Sequence, residues 1–194
     1  MFKYVLIAIL AIGILSVGAR VATQAMFSDT ASVGANTFTA GTIDVATTPA
    51  TALVSLSGMA PGDAVYGEMH VQNSGTLELR YAVTSTTTEN TLAAQLDLTI
   101  RGPAATTGGC NSAGFATFGT GVLYGAGDLG SSTGVNTIGD PTQGGQAGDR
   151  ILARGADEYL CFKAELPLAT GNSFQGLSST ATFDFASEQT ANTA

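Results

Sequence analysis

The sequence predicts an all-β fold, a jelly-roll-like antiparallel β-sandwich preceded by an N-terminal hydrophobic signal helix. Beyond the first 25 residues, apolar side chains recur with a period of two, which turns one face of each segment to the core and the other to water. Thr and Val are abundant, which suits strands, and the clusters Pro61–Asp63 and Asn73–Gly75 supply turns. Many short strands separated in this way are typical of a sandwich or jelly roll.

The first 25 residues have the three parts of a secretory signal peptide. Lys3 gives the charged start, an apolar run covers residues 4–19, and small residues precede the cut. A bilayer-spanning helix needs about 20 apolar residues, and this run stops at Arg20, so a retained membrane anchor is the weaker alternative. We therefore expect signal peptidase to cleave between Ala25 and Met26. The protein is then secreted, extracellular or at the cell surface, and touches a membrane only through the uncleaved leader.

Period-two patterns predict the strands of one domain, residues 36–194. In chain order they are Val54–Leu56, Tyr66–Val71, Leu77–Val83, Leu96–Ile100, Glu158–Leu166 and Thr180–Ala186. The last of them carries Phe183 and Phe185 on one face. Between the fourth and the fifth, at about 102–148, Gly, Ser, Thr and Asn dominate, which predicts a long Gly-rich insertion between two core strands.

Two cysteines follow the leader, Cys110 in the insertion and Cys161 in a predicted strand. Export places them where disulfides persist, and no CxxC motif or His cluster indicates a reactive or metal-binding pair. We predict a structural disulfide that stabilises the fold by about 3 to 4 kcal/mol.

Charge excludes several kinds of partner. Cleavage leaves five basic and fifteen acidic residues, a net charge of −10. Such a chain repels nucleic acid and anionic membrane surfaces, and no basic run overrides the average. We expect neither as a partner.

Few residues of the chain suit catalysis. His70 is the single histidine, on a predicted strand that places Glu68 and Gln72 on the same side. Zinc usually takes three or four ligands rich in His and Cys, so we predict a solvent-facing histidine. Gly125–Gly130 fits GxGxxG, but no helical pattern follows, which indicates a chance match. The sequence predicts no catalytic, cofactor-binding or metal-binding residues, no cofactor and no enzyme.

Several short motifs after the leader occur in an order that is typical of a known family. They are FSDT (Phe27–Thr30) with NTFTAGTIDV (Asn36–Val45), PGD (Pro61–Asp63) before VQNSGTLELRYAV (Val71–Val83), and LPLATGNSFQG (Leu166–Gly176) before TATFDFASEQTAN (Thr180–Asn192). Together they resemble the TasA/camelysin family of secreted biofilm-matrix fibre proteins. The insertion with Cys110 departs from the family pattern.

The resemblance implies a structural subunit of extracellular fibres, of the kind that form biofilm matrix. In such fibres the N-terminal segment freed by signal peptidase completes the sheet of a neighbouring subunit, a head-to-tail self-association called donor-strand complementation. Residues 26–35 are the candidate donor. Its residues on one side of a period of two are Phe27, Asp29, Ala31, Val33 and Ala35.

Three alternatives remain open. The donor segment could instead fray, or pair within its own subunit as an edge strand. The resemblance also admits a secreted camelysin-like metalloprotease. A monomeric surface adhesin or carbohydrate-binding module is the last alternative, because jelly rolls often serve that role.

Overall fold

Two antiparallel sheets form from the period-two segments of the sequence. The computed structural model describes residues 41–49 and 58–190. In this part of the chain the strands are β1 (Val45–Thr48), β2 (Ala64–Asn73), β3 (Leu79–Thr87), β4 (Asp97–Ala104), β5 (Gly121–Asp128), β6 (Val135–Ile138), β7 (Arg150–Leu152), β8 (Asp157–Glu165) and β9 (Ala181–Gln189). Short 3₁₀ helices cover Phe115–Thr117 and Asn172–Phe174. The all-β prediction is confirmed, while the signal helix lies outside the described residues.

The first sheet, sheet A, has the strand order β1-β2-β8-β4-β5. In the second, sheet B, β3 is central: β9 pairs along one edge, while β6 and β7 share the other. All of these pairings are antiparallel. Strands β5 and β6 also approach one another, so the two sheets meet along that side of the sandwich.

Five of the six predicted strands are confirmed as β2, β3, β4, β8 and β9, with shifted ends. The sixth, at Val54–Leu56, lies outside the described residues. Strand β3 begins at Leu79 rather than at Leu77, because the preceding residues form a turn. The Asn73 side chain closes this turn by donating to the Leu77 carbonyl at 2.8 Å and accepting from Gly75 N at 3.0 Å.

The Gly-rich stretch at about 102–148 differs from its prediction as a single insertion. Residues 105–118 and the loop after β6 lie outside the two sheets, whereas β5 adds to the edge of sheet A and β6 to sheet B. The period-two pattern did not predict these strands. For β5 the reason is that it is rich in glycine and exposes Val122. A glycine-rich edge strand has little apolar alternation to read.

The core lies between the sheets and comes from their inward-facing side chains. The largest completely buried residues of this core include Tyr81, Phe162, Leu79, Leu98, Ile100 and Leu160. Most of their neighbours along the strands are half-buried, as the period of two requires, while Ala82 and Cys161 on the opposite faces are buried as well. In the described part of the chain, no helix has the length and apolar character to cross a bilayer.

Candidate functional site

The predicted cleavage junction and donor strand belong to the part of the chain that precedes the described residues. Ala25, Met26 and the donor residues Phe27, Asp29, Ala31, Val33 and Ala35 all lie outside the described residues. The described part of the chain contains a sheet edge, a kind of surface to which a strand can be added.

Strand β9 forms that edge. It pairs with β3 along its whole length, from Leu79↔Gln189 to Thr87↔Ala181. Over residues 181–188, no second strand of the described ranges pairs with it. An edge strand directs alternate backbone N–H and C=O groups away from its own sheet. These groups can pair with an added strand.

Two aromatic side chains mark the inner face of this edge. Phe183 packs on Phe162 of sheet A with ring centroids 4.7 Å apart, and Phe185 packs on Tyr81 at 5.7 Å. Phe162 and Tyr81 are buried, but Phe183 and Phe185 remain half-buried at the margin of the core. A strand added beside β9 would remove more of both rings from water, which is favourable.

The outer face of sheet B carries a loop, residues 139–149. Glu188 on β9 accepts a hydrogen bond from Gly144 N at 2.8 Å and forms an ion pair with Arg80 at 2.5 Å. A cleft of about 310 Å³ lies between this loop and the sheet. Inside the loop, hydrogen bonds from the backbone and the hydroxyl of Thr142 lower the pKa of Asp140.

The outer face of sheet A is covered at its centre. Cys110 and Cys161 form the predicted disulfide, with Cα atoms 5.4 Å apart, and it ties residues 105–118 to the middle strand β8. Since loops cover parts of both outer faces, the edges of the sheets are the more open surfaces for strand addition.

His70 lies on the outer face of sheet A, where its side chain is 28% exposed. Its Nε2 is hydrogen bonded to Asp157 Oδ2 at 2.7 Å, and its ring stacks on Tyr159 with centroids 4.5 Å apart. The carboxylate of Glu68, on the same side of β2, accepts hydrogen bonds from Thr107 and Gly108 instead. Among the described residues, His70 therefore lies beside one carboxylate and not within a set of metal ligands.

The stretch Gly125–Gly130 spans the end of β5 and the start of the next loop, and strand β6 follows it. A dinucleotide site would need this loop to open a helix. The arrangement agrees with a chance match to GxGxxG.

The N-terminal half of the chain is similar to a known protein family. Residues 3–98 match the family model described as camelysin metallo-endopeptidase. This range contains the leader, the junction and strands β1 to β3. No curated protein matches the chain as a relative. The match covers the motifs at the junction and in the central strand pair, and over these residues the chain is similar to the TasA/camelysin family.

Proposed function

We propose that this protein is a secreted structural subunit of extracellular fibres. Its N-terminal segment, freed by signal peptidase, pairs with a sheet edge of the next subunit. The observation that carries the proposal is the edge at β9, where Phe183 and Phe185 are half-buried beside the core. The resemblance of the chain's motifs to the TasA/camelysin family implies the same function.

The donor segment suits this edge. Residues 26–35 alternate between a side with Phe27, Ala31, Val33 and Ala35, interrupted by Asp29, and a side with polar Ser and Thr. An added strand gains backbone hydrogen bonds along its length, and its alternate side chains pack onto the exposed margin of the core. Phe27 is the one large anchor on the apolar side, so it is the donor residue that buries the most surface.

Head-to-tail pairing explains why cleavage acts as the switch. A donor on one surface and an acceptor on another make a heterologous contact, which need not close and so builds a filament. While the leader remains attached, residues 26–35 are held at the membrane and cannot dock. Cleavage between Ala25 and Met26 releases them.

A secreted metalloprotease is the second candidate, and the description of the family favours it. Catalytic zinc is commonly held by three protein ligands such as two His and one Glu. The chain has one histidine, and its two cysteines are joined in a disulfide. Within residues 41–49 and 58–190, no group of three His, Cys, Asp or Glu side chains is placed to hold a metal. These residues do not fit the metal that the description implies, and we prefer the fibre.

Electron microscopy of three proteins tests the proposal: the chain from Met26, a chain from Asn36, and the Phe27→Asp variant of the longer form. We expect filaments from the first alone. Ser28→Asp is the matched control, because it adds the same charge to the opposite side of the donor and should still form filaments. Filaments from the chain that starts at Asn36 would refute the donor mechanism. Filaments from none of the proteins, together with chelator-sensitive caseinolysis that His70→Ala abolishes, would favour the protease.

A peptide of residues 26–35 gives an independent test of the acceptor. Added to the chain from Asn36, it should bind and raise the melting temperature, since a ligand specific for the folded state stabilises it. The same peptide with Phe27→Asp should not. Equal shifts from both peptides would show that the apolar side of the donor contributes nothing to docking.

A further inference from the structure

Residues 105–118, here called the cap, form a small layer that covers part of the outer face of sheet A. The cap leaves β4 after Ala104 and ends before β5. Its first part is held by Glu68 on β2, whose carboxylate accepts hydrogen bonds from the Thr107 hydroxyl and, at 2.8 Å, from Gly108 N. Its last part is held by Arg101 on β4, whose Nε donates to the Phe118 carbonyl at 3.2 Å.

The cap has its own apolar interior, separate from the core between the sheets. Phe118 is only 4% exposed, although it does not belong to the main core cluster. Phe115 meets Tyr66 of β2 edge to face with centroids 5.6 Å apart, and Lys163 Nζ of β8 lies 5.5 Å from the same ring. The cap therefore contacts three neighbouring strands of sheet A.

The disulfide is the one covalent bond that attaches the cap to β8. Cys161 faces the cap from the middle of sheet A and has no exposed surface, while Cys110 in the cap is partly exposed. The remaining ties are the buried Phe118 ring, the part-buried bond from Arg101 to the Phe118 carbonyl, and exposed hydrogen bonds and ring contacts, each of which contributes modestly on its own. Without the disulfide, the cap is attached to sheet A by non-covalent contacts alone, and none of its residues belongs to the main core cluster.

We propose that the Cys110–Cys161 disulfide is a redox latch, closed in an oxidising environment and opened by dithiol reductants, and that its opening lifts the cap off sheet A. The opened cap is the point at which proteases first cleave the folded chain. Phe115 and Phe118, whose packing holds the cap down, then become accessible. The latch is independent of the donor strand, because cap and β9 belong to different sheets.

The more exposed cysteine, Cys110, determines which sulfur a reductant attacks first in thiol–disulfide exchange. A thiolate of the dithiol attacks Cys110 Sγ, since Cys161 is buried. The S–S bond breaks, Cys161 leaves as a thiolate and takes up a proton, and a mixed disulfide forms on Cys110. The second thiol of the reductant then displaces Cys110, so that the protein gains two electrons and two protons and the dithiol becomes a cyclic disulfide.

Limited digestion with chymotrypsin, which cuts after aromatic residues, tests the latch on the full chain. Mass spectrometry follows the products that end at Phe115 and Phe118, while circular dichroism follows the sandwich. Dithiothreitol should accelerate both cuts by about tenfold or more with the β-sheet signal retained, because local opening governs cleavage. Reoxidation should restore protection. Unchanged cleavage rates would overturn the latch, and so would loss of the β-sheet signal on reduction, which would make the disulfide a support of the whole fold.

Variants separate the latch from general damage. Cys110→Ser should be cut at Phe115 and Phe118 at the rate of the reduced wild type, with or without dithiothreitol. Val122→Ser is the control, because Val122 is exposed on the neighbouring strand β5 and should leave protection unchanged. A monothiol reagent that forms mixed disulfides should be recovered on Cys110; recovery on Cys161 first would contradict the proposed order of attack.

Discussion

The hydroxyl of Tyr81 donates a hydrogen bond to Glu158 Oε1 in the interior of the sandwich, which joins sheet B to sheet A through a buried polar contact. Glu158 also forms a two-point ion pair with Arg150, with Nε to Oε1 at 3.1 Å and Nη2 to Oε2 at 2.6 Å. Glu158 stands at an inward position of β8, in line with Leu160 and Phe162. Its charge is tolerated there because both oxygens have partners.

Glu158→Gln tests the value of this network. The substitution leaves Arg150 without its counter-charge, and breaking a buried ion pair from one side costs about 3 kcal/mol or more. Urea denaturation should show this loss. Glu165→Gln on the same strand is the control, because the Lys163–Glu165 pair is 21% and 36% exposed and should cost less than about 1 kcal/mol. Similar losses from both variants would mean that burial of Glu158 adds nothing.

The Tyr81 phenol gives the fold a dependence on alkaline pH. Burial, and then the charge and hydrogen bond of Glu158, raise the pKa of Tyr81 well above its usual value, although Arg150 acts in the opposite direction. Since the folded state holds this proton more tightly than the unfolded state, the stabilisation is complete below about pH 10 and is lost as the pH rises beyond it.

Comparing wild type with Tyr81→Phe measures that effect. The difference in their unfolding free energies should be constant up to about pH 10, and above it the wild type should lose about 1.4 kcal/mol per pH unit relative to the variant. Denaturant curves between about pH 8 and pH 12 provide the measurement. Tyr124, whose pKa is also raised, remains in both proteins and cancels from the difference. Parallel curves across the whole range would contradict the prediction.

The strands of the sandwich could be predicted because each reads as a simple alternation. Leu96–Ile100 and Glu158–Leu166 became β4 and β8 with shifts of a few residues. Strands β5 and β6 could not be predicted, because Gly121–Asp128 has few side chains to alternate and depends on pairing with β4. Local pattern carries no information about such non-local pairing.

The polar contacts were predictable only in part. The disulfide followed from cysteine count and compartment, and it is confirmed. Glu158 was visible as a charge in the apolar register of its strand, but its partners come from β3 and β7, 77 and 8 residues away along the chain. Sequence spacing alone does not show that residues on three different strands meet. The donor segment stays a prediction, since residues 26–35 lie outside the described ranges.

Asn73 links three segments at one end of the sandwich. Its completely buried amide donates to the carbonyls of Leu77, Leu152 and Ala153 at 2.8, 3.0 and 3.1 Å. Asn73→Asp places a carboxylate against these carbonyls and removes every donor, so we expect a loss of about 3 kcal/mol in urea unfolding. Asn90→Asp is the control, because Asn90 bonds Ser132 at the surface and should lose less than about 1 kcal/mol. A loss at Asn73 no larger than that at Asn90 would show that the turn tolerates the missing bonds.

Gly119 closes the passage from the cap into β5 with a positive φ of 62°. A Cβ there would lie 2.6 Å from the Gly102 Cα and 2.7 Å from the Pro103 carbonyl oxygen, so Gly119→Ala combines left-handed strain with a backbone clash. We expect it to lower the unfolding free energy by about 3 kcal/mol. Gly155→Ala measures the left-handed strain alone, because Gly155 has φ 71° with no atom near its Cβ position. This variant should cost about 1 kcal/mol. Equal costs at the two glycines, measured by urea denaturation, would show that β4 moves aside readily and that close packing against Gly102 and Pro103 is not what requires a glycine at position 119.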